Sequence, residues 1–401
     1  MAELAYHVST GARKKAMLRI PESHSLYLCP NSCARRYGIR AFKSGLAGKV
    51  SFLRFSQADV AAGSYEQRIE EAIGRVLDLV KPTPRAITLY VNCIDDFLGT
   101  DDVALLDSLA RRFPSTKFVL SRVNPIAADI KRNDSKAQGI HSRLYNLLDE
   151  PATHDAGLTL LGCFESIIGL GEFSDIARDA GLHPLRDLPS CATFSDYQDL
   201  ARSSYAVSLS FLGDAALKRF EECFGMRGLI WPATYDLDEI ERMYERFGAL
   251  VGKAIDCAPY RARAEESVRR AVDAVGARPV IVDSSSSMRP FTLACNLADM
   301  GFNVAAVMAL HVKGEDARAA KDLSALHPEI VVVKREGHEA LQGYAQALGD
   351  TSEAIAIGVD ATTLLCARRS VDMYHDEGHF GFQGVELLME KLTRAAVGEV
   401  A

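Results

Sequence analysis

The sequence lacks the features that mark membrane and nucleic-acid-binding proteins. Across its 401 residues no apolar run reaches the roughly 20 residues of a membrane span. No block of about five or six like charges forms a nucleic-acid arm. The N-terminal residues, which include Arg13 and Lys14, contain no apolar core of a signal peptide. We therefore predict a cytoplasmic protein that binds neither a membrane nor a nucleic acid.

Nucleotide-binding loops are also absent. The sequence contains neither Gly-x-Gly-x-x-Gly nor a Walker-type lysine. Four consecutive serines, at 284–287, follow one predicted strand and precede a predicted helix. They fit either a phosphate site at the helix N-terminus or simple helix capping. Because no glycine motif accompanies them, we favour capping.

Cysteine is present in an odd number, which argues against a full disulfide framework. The nine cysteines would stay reduced in the cytoplasm, so each is either a free thiol or a metal ligand.

Hydrophobic residues at 48%, charged residues at 25% and a net charge of −7 are ordinary for a globular chain. A chain of this length is too long for one core and predicts two or three domains.

Strands and helices alternate along the chain in three successive units. Apolar runs predict strands at 25–29, 49–55, 86–91, 117–123, 158–161, 206–211, 279–283, 303–308, 330–333 and 354–357. Helical spacing predicts helices at 65–80, 100–112, 135–148, 173–180, 215–224, 236–255, 259–275, 290–300, 316–325, 336–348 and 384–396. The pattern predicts an α/β fold of three Rossmann-like domains with parallel sheets, at 1–150, 151–258 and 259–401, the last with a C-terminal helix.

Three cysteines stand where parallel sheets present functional groups. Cys29 ends the first predicted strand, a turn at Pro30 leads to Cys33, and Cys93 directly follows the strand at 86–91. Soft thiolates ligate iron–sulfur clusters, zinc or cuprous ion, and zinc would need four nitrogen or sulfur ligands. Each thiol taken singly also fits an inert core cysteine. From spacing alone these alternatives stay open.

Six passages carry a wider pattern. They lie at 33–38, 93–102, 123–126, 158–165, 224–252 and 379–384. They resemble the nitrogenase component 1 superfamily, which includes the subunits of nitrogenase's molybdenum–iron protein, cofactor scaffold proteins and the dark-operative protochlorophyllide reductases. The resemblance covers most of the chain and implies three Rossmann-like domains.

The resemblance implies a 4Fe–4S iron–sulfur cluster bound by Cys29, Cys33 and Cys93 at a subunit interface. Cys33 and Cys93 match two ligand positions of the family, and Cys29 stands in for a third that usually lies farther upstream. Arg36 fits a residue that counters the charge of the cluster. Asp95 fits a carboxylate ligand or a docking charge. Both residues also fit a solvated surface.

The resemblance also implies a function and partners. We expect a nitrogenase-like oxidoreductase subunit, in a homodimer or a paralogous heterodimer, that works under anaerobic conditions. It would relay low-potential electrons from an ATP-hydrolysing iron–sulfur reductase protein to a small-molecule substrate. No thiol lies at 207–212, where the family holds its molybdenum cofactor, so we expect a substrate other than dinitrogen. His375 and His379 fit either proton donors near the inferred cleft or satisfied histidines.

Two other functions remain open from the sequence. The chain also fits a scaffold protein that matures a metallocluster or tetrapyrrole cofactor without turning it over. A third interpretation is a metal-free α/β binding protein whose cysteines belong to the core. Iron content separates the third function from the first two, and sustained turnover separates an enzyme from a scaffold.

Overall fold

Three parallel sheets organise the chain in the computed structural model. The structure describes residues 20–43, 45–63, 65–91, 99–122, 143–309, 312, 314–333, 348 and 350–398. Every strand pair in each sheet runs parallel, as expected when helices form the crossovers. The predicted α/β fold with three Rossmann-like sheets is confirmed. Within these residues, no helix is long and apolar enough to cross a bilayer.

The strands are β1 (Ser23–Cys29), β2 (Val50–Arg54), β3 (Ala86–Val91), β4 (Lys117–Arg122), β5 (Asp155–Leu161), β6 (Leu185–Asp187), β7 (Ser203–Ser208), β8 (Arg227–Ile230), β9 (Val280–Asp283), β10 (Val304–Met308), β11 (Val331–Val333), β12 (Ile355–Ile357) and β13 (Arg369–Val371). The helices are α1 (Asn31–Lys43), α2 (Gln57–Ala61), α3 (Tyr65–Leu79), α4 (Asp102–Arg112), α5 (Gly171–Asp179), α6 (Phe194–Asp199), α7 (Phe211–Phe224), α8 (Leu237–Val251), α9 (Ala258–Val275), α10 (Pro290–Asp299), α11 (Ala317–Leu326), α12 (Val359–Leu364) and α13 (Gly381–Ala396). The sheet orders are β2-β1-β3-β4, β6-β5-β7-β8 and β11-β10-β9-β12-β13.

The described residues form two compact units. One contains the first two sheets, and the other contains 167–183 and the chain from Trp231 onward, including the third sheet. In the first unit the cores of both sheets are aliphatic and aromatic. In the second sheet Leu161 and Ala206 pack with Tyr145 and Phe220, all fully buried. The predicted domain boundaries at 150 and 258 stay a prediction.

The two faces of the first sheet differ in chemistry, because side chains alternate along each strand. On one face Leu26 of β1 and Leu89 of β3 pack with Ile69 of α3, and none of the three is more than 1% exposed. The opposite face presents Tyr27 and Cys29. Helix α1 covers this second face, so the predicted cysteine site has its own small core.

Trp231 is the centre of an aromatic cluster in the second unit. Its ring centroid lies 4.7 Å from that of Tyr244, 4.9 Å from Phe380, 5.7 Å from Phe173 and 6.0 Å from Phe247. Aromatic side chains bury roughly 150–250 Å² each. The cluster therefore holds α5, α8 and the residue before α13 together.

A buried carboxylate from α5 binds the first amides of the C-terminal helix, α13. Glu172, only 3% exposed, accepts hydrogen bonds through Oε1 from the Tyr244 hydroxyl (2.8 Å) and the Phe382 amide (2.6 Å). Its Oε2 accepts from the Gln383 amide (3.1 Å). Helix N-termini carry unsatisfied N–H groups and a partial positive charge, so this carboxylate stabilises the first turn of α13.

Several predicted elements differ from the structure. The chain after Cys29, predicted as a loop, forms helix α1. The strand predicted at 206–211 ends at Ser208, because α7 begins at Phe211. Helix α4 is capped by Asp101 rather than Thr100, since the Asp101 carboxylate accepts its first free amides. Most of the helix predicted at 336–348 and most of that at 135–148 lie outside the described residues.

Candidate functional site

One turn of helix brings Cys33 back beside Cys29. Strand β1 ends at Cys29, and α1 begins two residues later. The Pro30 carbonyl accepts from the amides of Cys33 and Ala34, both at 3.1 Å. Cys29 is 1% exposed, whereas Cys33 is half-buried. One thiol is therefore enclosed, and the other lies at the edge of the site.

An aromatic ladder fixes the helix that carries Cys33. Tyr27 pairs in register with Phe52 on β2 and Tyr90 on β3, and its ring stacks on theirs at 5.6 and 4.5 Å. Tyr37 of α1 stacks on Tyr27 at 4.6 Å. Offset stacking of this kind contributes about 0.5–1.5 kcal/mol per pair beyond area burial. The ladder holds α1 against the sheet and so positions Cys33.

The electrostatics of the pair disfavour a free thiolate at Cys29. Burial, and then the charge of Cys33, raise the pKa of the Cys29 thiol to about 11, and Arg54 opposes this rise. Arg54 lies directly beside Cys29 because the two residues pair in register at the ends of β2 and β1. Sequence reasoning missed Arg54, since the register of two strands is not visible in the sequence.

The two sulfurs fit soft-metal ligation. Among the described residues neither sulfur has a hydrogen-bond partner, whereas Cys191 donates to the Asp187 carbonyl (3.2 Å) and Cys295 to the Ala319 carbonyl (3.6 Å). Cys163 and Cys257 share this lack of a partner in the described part of the chain, but only Cys29 and Cys33 form a pair. Two adjacent thiolates would repel each other, and a cation bound between them offsets that repulsion; iron–sulfur clusters are held by cysteine thiolates. The donor set therefore suits an iron–sulfur cluster.

The structure brings two of the three predicted ligands together. Cys93 and Asp95 lie outside the described residues, as does the side chain of Arg36. Within the part that is described, no group of three histidine, cysteine or acidic side chains is arranged to hold a metal ion. The assignment of Cys29, Cys33 and Cys93 as cluster ligands, and of Arg36 and Asp95 as residues near the cluster, stays a prediction.

A second polar cluster lies at the carboxyl edge of the third sheet. Asp283 ends β9 fully buried, and its Oδ1 accepts from the amides of Ser285 (2.7 Å) and Ser286 (3.0 Å). Burial raises the pKa of Asp283.

The predicted serine capping of α10 is wrong. The first free amides of that helix bind Asp316, whose carboxylate accepts from Phe291 (2.8 Å).

The loop after β13 is bound to this serine turn. The amides of His375 and Asp376 donate to the carbonyls of Ser285 (2.9 Å) and Ser286 (3.0 Å). Both donor residues have positive φ, 50° and 59°, a conformation that costs of order 1–3 kcal/mol each outside glycine. The Asp376 carboxylate also accepts from the Tyr235 hydroxyl (3.1 Å). These bonds hold the strained loop in place.

His379 is buried with both ring nitrogens engaged. It is 3% exposed, and its Nδ1 lies 3.1 Å from the Glu377 carbonyl while its Nε2 lies 3.4 Å from Lys391 Nζ. Desolvation, and then the charge of Lys391, lower the pKa of His379 to about 3. The ring is therefore neutral at pH 7. The proton-donor role of His375 and His379 stays a prediction.

Acid is expected to weaken the fold through His379. Its pKa is about 3 in the folded state and about 6.5 when unfolded, so between these values only the unfolded state binds the proton. Stability is then greatest above pH 6.5 and falls as the pH drops. From pH 7 to pH 5 we expect a loss of about 2 kcal/mol. Urea unfolding should show this loss in the natural protein and not in His379→Gln; equal pH dependence in both would contradict it.

The three parallel sheets define a class: an α/β protein with Rossmann-like sheets, the first of which carries a pair of cysteines at its edge. A family model for nitrogenase component 1 type oxidoreductases matches residues 10–396. The chain belongs to this family, as the resemblance predicted.

Solved structures agree on the fold. Nitrogenase Cp1 at pH 6.5 is similar with a TM-score of 0.71 and 14% identity, over 97% of this chain and 91% of that one. Nitrogenase Cp1 at pH 5 is similar with a TM-score of 0.63 and 13% identity, over 96% of this chain and 87% of that one. A comparison with curated proteins finds no match.

Proposed function

We propose that the chain is a nitrogenase-like oxidoreductase subunit that binds a 4Fe–4S cluster through Cys29, Cys33 and Cys93. It relays low-potential electrons from an ATP-dependent iron–sulfur reductase to a small-molecule substrate other than dinitrogen. The observation that carries the proposal is the pair of partner-free thiols at the carboxyl end of β1, in a chain of this family.

The residues around the thiols have separate tasks in this function. When bound, the cluster supplies one-electron redox chemistry at low potential. Cys29 would hold the cluster from the enclosed side, where the aromatic ladder of Tyr27 excludes water. Cys33 would hold it at the edge, where the partner subunit of a homodimer or paralogous heterodimer would complete the site. Arg54 offsets the negative charge of the thiolates.

Iron content after anoxic purification tests the proposal. We expect iron and acid-labile sulfide in equal amounts in the natural protein, and loss of both in Cys33→Ser and Cys93→Ser. Cys223→Ser is the matched control, because that thiol is exposed on α7 and should leave the iron unchanged. Folded protein without iron, or full iron in Cys93→Ser, would overturn the assignment. Reductase-driven turnover then separates an enzyme from a scaffold protein.

Arg54→Gln is expected to lower the midpoint potential of the bound cluster. Reduction adds negative charge, and a nearby positive charge favours the reduced state, so its removal shifts the potential downward. Potentiometric titration followed by paramagnetic resonance measures the shift. Arg269→Gln on α9 removes the same charge from an exposed position and should leave the potential as it was. An unchanged potential in Arg54→Gln, at full iron content, would show that Arg54 does not act on the cluster.

A further inference from the structure

A groove of about 590 Å³ lies between α8, α10 and α11 in the second unit. This volume falls within the roughly 300–1,000 Å³ of small-molecule sites. Arg242, Met243 and Arg246 line one wall from α8, and Asn296 lies on the floor from α10. None of these residues takes part in the function proposed above, so the groove needs its own explanation.

The acidic side chains of the groove are already engaged. Four carboxylates line it, and each has a partner within the protein. Asp236 accepts from the amides of Asp238 (2.8 Å) and Glu239 (3.0 Å), Glu239 from the Thr234 hydroxyl (2.9 Å), Asp299 lies 3.2 Å from His327 Nε2, and Asp322 lies 3.6 Å from Arg318 Nε. These contacts hold the carboxylates within the protein, and the four arginines of the lining, Arg242, Arg246, Arg289 and Arg318, balance their four negative charges.

The polar groups that remain are donors. In the described part of the chain Arg242 has no hydrogen bond or ion pair, and Arg246 contacts only the Met243 sulfur, at 3.4 Å. Asn296 uses its Oδ1 to accept from the Tyr235 amide (3.3 Å), which leaves its NH₂ group to donate. A groove whose uncommitted groups are two guanidinium ions and one amide NH₂ favours an anion.

The spacing of the two arginines indicates the kind of anion. Residues four apart on a helix have Cβ atoms about 5–6 Å apart on the same face, and each guanidinium can hold one carboxylate in a bidentate manner. Met243 lies between them in sequence, and Leu326, 71% exposed, lines the opposite wall. These apolar side chains suit a short methylene chain.

We propose that this groove binds a small organic dicarboxylate, with Arg242 and Arg246 each holding one carboxylate and Asn296 donating to one of them. The methylene chain between the carboxylates lies against Met243 and Leu326. Binding of this kind requires no cluster at Cys29 and Cys33, so the proposal stands apart from the redox function.

Equilibrium dialysis with radiolabelled glutarate at low ionic strength tests the proposal on the full chain. We expect saturable binding at one site, weaker binding at higher salt because the charges are partly exposed, and weaker binding of the monoanion butyrate. The double variant Arg242→Gln/Arg246→Gln should bind glutarate at least about tenfold more weakly, a modest loss for two charge-assisted contacts.

The matched control is Arg269→Gln/Arg270→Gln, which removes two positive charges from α9 outside the groove. It should bind glutarate as the natural protein does. Three results would overturn the proposal: no saturable binding by the natural protein, unchanged binding in the groove variant, or an equal loss in both double variants. Circular dichroism confirms that each variant is folded, which exposed arginine substitutions should allow.

Discussion

Replacing Gly358 with alanine is expected to destabilise the third sheet by about 3–5 kcal/mol, the sum of backbone strain and overpacking. Gly358 links β12 to α12 at φ 105° and ψ 168°, a region that is essentially confined to glycine. An added Cβ would lie 2.2 Å from Asp283 Oδ1. That carboxylate cannot move freely, because it is fully buried and its Oδ2 accepts from the Ala361 amide (2.6 Å).

Gly169→Ala is the control that separates strain from collision. Gly169 also has a positive φ, 81°, but nothing lies within 4 Å of the Cβ that alanine would add. We expect this variant to lose only about 1–2 kcal/mol, the cost of a left-handed L-residue. Thermal unfolding followed by circular dichroism gives both values. Equal losses of stability at the two positions would show that the Asp283 carboxylate moves away from the added Cβ at no cost in free energy.

Removing the Glu172 side chain is expected to cost about 3–5 kcal/mol. In Glu172→Ala the amides of Phe382 and Gln383 and the hydroxyl of Tyr244 lose their acceptor inside the protein. Each buried polar group left without a partner costs about 1–3 kcal/mol. The first turn of α13 should loosen, and hydrogen exchange of its amides should rise most.

Two further variants sharpen this test. Glu172→Gln keeps one acceptor oxygen and should fall between the natural protein and Glu172→Ala. Glu390→Ala removes an exposed carboxylate from the same helix and should change stability by less than about 0.5 kcal/mol. If Glu172→Ala were as stable as Glu390→Ala, the buried carboxylate would not support α13.

The sequence predicts best those elements whose pattern is local. Strand β3 is found at its predicted bounds, because a continuous apolar run from Ala86 to Val91 follows Pro82 and Pro84, which end the preceding helix. Helix α1 was missed because Pro30 and Asn31 indicated a turn, although Cys33, Ala34 and Tyr37, which pack on the sheet, recur at helical spacing. Packing on the aromatic face of the sheet, rather than intrinsic propensity, stabilises that helix.

Two short strands escape sequence prediction for a different reason. Strands β6 and β13 are no shorter than β11 and β12, which were predicted from apolar runs, but their sequences Leu-Arg-Asp and Arg-Ser-Val form no such run. They exist because neighbouring strands offer parallel backbone partners. The first and last residues of these strands are therefore set by pairing with the neighbouring strand and not by their own sequence.

The residues of the candidate sites also divide into those that the sequence predicts and those that it does not. The closeness of Cys29 and Cys33 is predictable, since four positions in sequence permit little separation. The position of Arg54 beside Cys29 is not predictable, because it depends on the register between β1 and β2. The role of Asp316 is not predictable either, because its carboxylate binds the amide of Phe291, 25 positions earlier in the sequence.

The lone indole of the chain has a practical consequence. Trp231 belongs to the second unit and is 1% exposed among other rings, so its emission reports on that half of the molecule. Unfolding of the unit that carries Cys29 would therefore change the tryptophan fluorescence very little. Comparing the emission curve with the far-ultraviolet curve therefore tells whether the two halves melt together or in sequence.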